Sequence, residues 1–401
     1  MPVKQRILIY SHDTFGLGHL RRCRTIAAAL ADANADASVL ILSGSPIIGA
    51  FDFPARVDFI RLPGVIKLRN GDYVPRLPEE DLEGIIRLRS GLIDKVVEQF
   101  HPNLLIIDKE PLGLRGELEA ALRRARGKGA RIVLGLRDIL DDADLLAAEW
   151  DRKRVISALE QFYDEIWVYG LEQIHDPLSG IGVSKSIRER MIYTGYLRRE
   201  TLALPQRALP AKLGEGPFIL VTTGGGGDGD GVIDWVLSAY EAGAPIGHKA
   251  LLVLGPFMDR AHQQQFLARV QHLRDVEAIT FDVYLEELLG RAAGVVAMGG
   301  YNTFCEILSL QKPALIVPRA APRREQVIRA EAADRLGLAA MLRDPADDGL
   351  RRDPSIMAEA LRALPDRPPP AVAALEGLLD GLPSLCRRAA LSPRRAVPLA
   401  S

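Results

Sequence analysis

The sequence predicts an α/β protein built from two Rossmann-like domains, and three observations carry that prediction. A short apolar strand, Arg6 to Tyr10 (RILIY), runs through a glycine-containing loop into a helical pattern. The same order returns at Phe218 to Thr223 (FILVTT), followed by GGGGDGDG and a second helical pattern reaching about Ala242. Between the halves, the segment 200–217 is rich in Pro, Ala and Gly and has no strong period, which marks a linker. The boundaries follow: an N-terminal domain over 1–199, the linker 200–217, a C-terminal domain over 218–365, and a closing segment over 366–401.

Size and composition agree. The chain has 401 residues, enough for two cores, with 48% hydrophobic and 26% charged residues. A formal charge of -1 argues against bulk nucleic-acid binding, which needs a large basic excess. Cys23, Cys305 and Cys386 lie far apart, without disulfide or zinc-ligand spacing, so a reducing cytoplasm is expected. The start, MPVKQRILIYSHD, passes directly from basic residues into a strand and does not read as a secretion signal. No run approaches the apolar length of a membrane span, so membrane contact is expected to be peripheral, at the inner face.

The first loop, SHDTFGLGHLRRC, contains Gly16, Gly18 and His19. It lacks the third glycine of a dinucleotide fingerprint, and no acid follows the next strand, Val39 to Ser43, so an NAD-binding domain is a poor reading. After the strand at Val57 comes an aperiodic stretch, GVIKLRNGDYVPRLPEEDLEG, which reads either as a substrate loop or as a long connection, and then a helix from about Ile85 to Gln99. Leu104 to Asp108 (LLIID) is a strand running into Asp-Lys-Glu. The carboxyl ends of strands in open α/β sheets face the ligand crevice, so Asp108 and Glu110 are expected near the first loop. A further strand is Arg131 to Leu136, and Ile166 to Tyr169 and Met191 to Arg199 complete the half.

In the C-terminal half, four consecutive glycines after a strand expose backbone amides at a helix start, a suitable cradle for phosphate. Asp228 and Asp230 complicate that cradle and read better as helix caps than as metal ligands, because no third carboxylate is near in sequence. After the strand Leu251 to Pro256, the segment Ile279 to Gly294 gives a strand edge and an amphipathic helix. The sharpest stretch is Met298 to Gln326, MGGYNTFCEILSLQKPALIVPRAAPRREQ. Here a strand enters Gly299-Gly300, then a helix to about Gln311, stopped by Lys312-Pro313 before a strand at Ala314 to Pro318. Thr303 sits in the first helical turn. Glu306, one turn on, is either a ribose-diol acceptor or an ordinary solvated helix residue.

This stretch resembles the donor-binding motif of the MurG-like, family 28 C-terminal domain of GT-B glycosyltransferases, through Gly300, Thr303, Glu306, Val317-Pro318, Arg324 and Gln326. Gly299 stands where that family has Ser, and Glu325 where it has the first Gln. Gly224, Gly225, Gly226 and Gly227 resemble its Gly-Gly-Ser-x-Gly loop with the serine lost. Gly195 and Arg199 resemble its interdomain Gly-Asn-Pro-x-Arg, with Tyr196-Leu197 in place of Asn-Pro. Gly16, Gly18 and His19 are similar to the Gly-Gly-x-Gly-His acceptor loop of GT-B enzymes.

The resemblance implies a GT-B fold, two Rossmann-like domains facing across a cleft, with the acceptor on the N-terminal domain and the nucleotide sugar on the C-terminal one. His19 becomes the candidate general base, or else a helix-start residue or a holder of acceptor phosphate; His12 and Asp13 compete with it. Asp108 becomes the residue that fixes the tautomer of His19, or else a turn cap or a partner of Lys109. Val283 and Tyr284 are placed near the base, uracil by resemblance, and Arg199 or Arg324 near the diphosphate. The helix expected over Ala371 to Leu382 returns to the first domain. The four arginines after Pro383 suit anionic lipid head groups, or form a disordered tail.

The implied activity is inverting, metal-independent transfer from a UDP-type sugar to an acceptor hydroxyl, without a cofactor beyond the nucleotide-sugar co-substrate. A carbohydrate or lipid-linked acceptor of envelope or exopolysaccharide synthesis suits the loop from Leu62 to Gly84. Two alternatives stay open: a catalytically silent GT-B protein that binds a nucleotide sugar or activates a partner enzyme, and a nucleotide-sugar 2-epimerase.

Overall fold

The computed structural model describes residues 5–12, 18–67, 73–76, 81–200, 208–214, 216–225, 227–243, 245–282 and 284–391. Gly16, Asp13, Gly226 and Val283 lie outside them, as does the tail from 392. The chain forms two units: Met1–Leu197 with Asp380–Ser401, and Arg198–Leu379.

Unit 1 runs β1 (Gln5–Ser11), α1 (Gly18–Ala33), β2 (Ala37–Ser43), β3 (Val57–Arg61), β4 (Val65–Lys67), β5 (Tyr73–Pro75), α2 (Leu82–Phe100), β6 (Leu104–Asp108), α3 (Glu119–Gly127), β7 (Arg131–Arg137), α4 (Ala143–Arg152), α5 (Val155–Phe162), β8 (Glu165–Tyr169), α6 (Lys185–Glu189) and β9 (Met191–Tyr193). Its sheet, in the order β3-β2-β1-β6-β7-β8-β9, is parallel throughout. Helices cover both faces, so the strands read as continuous apolar runs; Ile7, Leu8, Ile9 and Tyr10 are all buried. β1 has β2 on one side and β6 on the other, with Ile7 opposite both Val39 and Leu104. The winding reverses there, which brings the carboxyl end of β1 beside the end of β6.

The aperiodic stretch after β3 holds a small antiparallel hairpin, β4 with β5. α2 begins earlier than its apolar period suggests, because the Asp81 side chain accepts from the Glu83 and Gly84 amides and caps it.

Unit 2 runs β10 (Phe218–Thr222), α7 (Asp230–Glu241), β11 (Lys249–Val253), α8 (Arg260–Gln271), β12 (Val276–Ile279), α9 (Leu285–Arg291), β13 (Gly294–Ala297), α10 (Tyr301–Ser309), β14 (Ala314–Ile316), α11 (Glu325–Arg335), β15 (Ala340–Met341) and α12 (Pro354–Ala363). The sheet order β12-β11-β10-β13-β14-β15 repeats the arrangement, again all parallel. β10 and β13 are neighbours, Thr222 opposite Ala297, so the glycine loop after β10 lies beside Gly299-Gly300. Two buried clusters, around Trp235 and Leu361 on one side and Leu220 and Ile307 on the other, fill the two faces.

Three boundaries differ from the sequence reading. Arg199 belongs to unit 2, because its amide donates to Ser309 Oγ (2.9 Å) and its guanidinium to Asn302. The linker is in part packed: Leu213 is buried among Phe218 and Leu289. The returning helix is α13 (Gly381–Ala389), not 371–382, where only a short 3-10 turn forms at Val372–Ala374. Leu197 bridges to Asp380, and Gln5 Nε2 donates to the Ala389 carbonyl (2.7 Å). Arg387 and Arg388 thus sit in this docked helix rather than in a loose tail. Among the described residues, no helix is long and apolar enough to cross a membrane.

Candidate active site

In unit 1, α1 starts at Gly18, and one turn of helix places His19 and Arg22 on the same side. β6 ends on Asp108, next to β1 in the sheet. These placements converge on one carboxylate. His19 Nδ1 bonds Asp108 Oδ2, and Arg22 reaches the same carboxylate through Nε to Oδ1 (2.8 Å) and Nη2 to Oδ1 (2.6 Å) and Oδ2 (2.9 Å). The Asp108 and Arg22 side chains are 2% exposed and that of His19 is 18% exposed, so only the imidazole meets solvent.

A carboxylate only accepts, so Nδ1 carries the proton and Nε2 is the basic nitrogen of neutral His19. Arg22 Nη2, 3.1 Å from Nδ1, then contributes its charge rather than a bond. Burial opposes the charge on Asp108, but Arg22 and His19 outweigh it and hold the carboxyl well below its usual range. Burial lowers the pKa of His19; Asp108 opposes that, while Arg22 and Lys109 add to it. His19 is therefore neutral at neutral pH.

A second buried group stands beside this pair. Arg89 donates to Glu117 through Nε (2.6 Å) and Nη2 (2.7 Å) and to the Pro63 carbonyl through Nη1 (2.7 Å). Tyr10 donates its hydroxyl to Glu117 Oε1 (2.5 Å), and His12 Nδ1 lies 3.3 Å from the same hydroxyl. The His12 and His19 rings meet edge-on, 5.9 Å between centroids. Past Asp108, Lys109 takes a left-handed φ of 69°, which turns the chain so that the Glu110 amide donates to the Asp108 carbonyl (2.9 Å). Glu110 is buried and accepts from Lys153 (2.9 Å). Burial opposes its charge, yet Lys109, His12 and Lys153 hold its carboxyl well below the usual range.

The corresponding edge of unit 2 is furnished differently. Gly224 has φ 67°, and its amide donates to Thr222 Oγ1 (3.2 Å). Gly299 has φ 78° and Gly300 is the N-cap of α10, leaving the first-turn amides at the end of that helix. Arg199 Nη2 donates to Asn302 Oδ1 (2.8 Å) in the same turn. Thr303 and Gln326 are nearly buried, and Glu306 is wholly buried at 0% exposure rather than a solvated helix residue. Gln326 Oε1 accepts from the Arg319 amide (3.2 Å). Arg324 is the exposed N-cap residue of α11, and Tyr284, half-buried, is that of α9.

Asp228 and Asp230 do not cap α7, whose N-cap is Gly229. Asp230 pairs with His262 (2.6 Å), and Asp228 pairs with Arg319. Arg319 also reaches Glu325 (2.8 Å), tying the glycine loop to the start of α11.

The structure thus unites His19 with Asp108, Gly224 and Gly225 with the edge that carries Gly300 and Thr303, and Arg199 with α10. Sequence reasoning missed Arg22, Arg89, Glu117, Arg319 and Arg329, whose Nη1 donates to the Gly299 carbonyl (2.7 Å). The signal for Arg22 was present, since it lies three residues beyond a helical His; nothing local marks the others.

Comparison with known proteins gives a family match and a likeness of fold. Residues 219–350 match the model of the glycosyltransferase family 28 C-terminal domain. The matched residues lie within unit 2. The whole chain is similar in structure to the calicheamicin glycosyltransferase CalG4 (TM-score 0.59, 15% identity, covering 96% of this chain and 97% of that one). It is also similar to the glycotransferase of kitacinnamycin (0.58, 14%, 97% and 95%) and to a ugt transferase from Siraitia grosvenorii solved with UDP (0.58, 16%, 96% and 99%). At these identities the likeness shows the fold, which is that of the two-domain GT-B glycosyltransferases. No curated protein matches the chain.

Proposed function

We propose that the protein is an inverting glycosyltransferase that moves a sugar from a nucleotide diphosphate sugar to an acceptor hydroxyl. The observation that carries this reading is the His19–Asp108 pair at the switch point of unit 1, in a chain whose second unit matches a glycosyltransferase domain. Nε2 of His19 takes the proton of the acceptor hydroxyl as its oxygen bonds to the anomeric carbon. The bond from that carbon to the diphosphate breaks on the opposite face, and the electron pair leaves with the nucleoside diphosphate. Asp108 keeps the proton on Nδ1 and stabilises the imidazolium that forms.

Unit 2 holds the donor. The first-turn amides of α10, with Gly300 and Thr303, face the diphosphate, and Arg199 and Arg324 offset its growing charge without a bound metal. Glu306, Gln326 and Tyr284 complete the donor side. The neighbour solved with UDP favours a uridine nucleotide in this MurG-like reading, and an envelope or exopolysaccharide acceptor, met at the inner face of a membrane, fits it.

The test is thermal stabilisation by a panel of nucleoside diphosphates and nucleotide sugars, followed by release of nucleoside diphosphate on adding acceptors. One diphosphate should raise the melting temperature of the wild type and less that of Thr303→Val. Absence of any shift and of any release across the panel rejects the reading.

A further inference from the structure

Tyr10 has one proton to give, and it is committed to Glu117 Oε1 at 2.5 Å, where Arg89 holds the carboxylate with two bonds. The Tyr10 oxygen is left as an acceptor, so the ring nitrogen facing it, His12 Nδ1, carries the hydrogen. Neutral imidazole then has its lone pair on Nε2. That nitrogen has no hydrogen-bond partner among the described residues, although His12 is only 4% exposed.

We propose that His12 is a second hydroxyl-binding imidazole of the acceptor site. Its Nε2, fixed as an acceptor by the chain Tyr10–Glu117–Arg89, takes the hydroxyl next to the one His19 deprotonates, so the acceptor is a polyol such as a pyranoside with neighbouring hydroxyls. The ring centroids lie 5.9 Å apart, and a diol with each hydroxyl at about 2.8 Å from a ring nitrogen is of the size that bridges two rings at that spacing. His12 is a positioning group and not a rival base. Behind His19 stands a carboxylate that stabilises an imidazolium, whereas behind His12 stands a neutral phenol. Burial keeps His12 neutral too, with its pKa down at about 3, against the pull of Glu110 and with the help of His19, Lys109 and Lys153. The assignment rests on the glycosyltransferase reading for its substrate, but not for its test.

The full chain is labelled with [15N]histidine, and the ring nitrogens of its seven histidines are followed by long-range proton–nitrogen correlation, His12 being identified by its loss in His12→Gln. His12 should show the Nδ1–H tautomer at neutral pH, and Tyr10→Phe should mix in the other tautomer. Methyl glucopyranoside, galactopyranoside and mannopyranoside are then titrated, and at least one should move the Nε2 resonance. An Nε2–H tautomer, or an Nε2 resonance that none of the three moves, overturns the proposal. Failure of the glycosyltransferase reading would show instead as no nucleotide release with any donor, while the nitrogen resonances still decide the role of His12. Where transfer is measured, His12→Leu should raise the acceptor KM roughly tenfold with a smaller fall in kcat, and His12→Gln, which keeps an acceptor oxygen, should recover part of it. A purely structural His12 would lower the melting temperature without that split.

Discussion

The carboxyl ends of the two central strands occupy equivalent places in two sheets wound alike, and they are furnished in opposite ways. After β1 and β6 of unit 1 stand two histidines and three buried carboxylates, Asp108, Glu110 and Glu117, each held by a cation. After β10 and β13 of unit 2 stand glycines with positive φ, a helix start and short polar side chains. The first edge fixes where protons reside, which proton transfer requires. The second brings backbone close, which a bound anion requires. The winding supplies a crevice in both, and the residues at the strand ends decide its chemistry.

The comparison is broken most forcefully by His19→Gln. In the proposed mechanism this removes the base, so transfer should fall by about 10²- to 10⁴-fold while nucleotide stabilisation stays in place, because that proposal assigns the diphosphate contacts to the other unit. Loss of nucleotide binding along with turnover, measured by thermal shift beside nucleotide release, would mean that the two edges do not divide the work. Asp108→Asn should add a fall in stability, since it strips the buried Arg22 of its counter-charge, at a cost of about 3–5 kcal/mol.

A matched pair of substitutions sharpens the account of unit 2. A Cβ on Gly299 would meet Ile316 Cγ2 at 2.8 Å, in addition to the strain of φ 78°; on Gly224, at φ 67°, it would meet nothing within 4 Å. Gly299→Ala should therefore cost about 2–4 kcal/mol, backbone strain plus overpacking, and Gly224→Ala about 1–2 kcal/mol from strain alone. Denaturant melts of both variants check this. Equal costs would show that the Gly299 turn relaxes and is not fixed by close packing.

Much of this architecture was legible in the chain. Strand Leu104 to Asp108 was read to the residue, because a buried parallel strand is a continuous apolar run with a charge at its end. The strand-end rule puts Asp108 near the first loop, and the resemblance to GT-B enzymes pairs it with His19. What was not legible depends on distance in sequence. Glu117 lies 28 residues from Arg89 and 107 from Tyr10, and Arg319 meets Asp228 only after most of the second sheet has been built. No local period announces such pairs. Ala371 to Leu382 carries a helical pattern, but Leu197, the last residue of unit 1 before unit 2 begins, pairs with Asp380 and helix begins only at Gly381.

The smallest effect tests whether unit 1 holds its protons as described. His12 is neutral in the fold, with its pKa pushed down from 6.5 to about 3, chiefly by burial. The unfolded chain therefore binds a proton that the folded one refuses, and stability must fall as pH drops below 6.5. The ordinary unfolded value and the lowered folded one give a loss of about 1.4 kcal/mol between pH 7.5 and 5.5. The carboxylates of Asp108 and Glu110 act in a lower window, below the usual carboxyl range, because their pKa values are lowered too. Urea melts at the two pH values should show at least this loss in the wild type, since the lowered pKa of His19 adds to it in the same direction, and His12→Asn should remove about that much of it while lowering stability at both. If the slope with pH is the same in the variant, His12 is charged in the fold, and the edge of unit 1 does not hold that proton off.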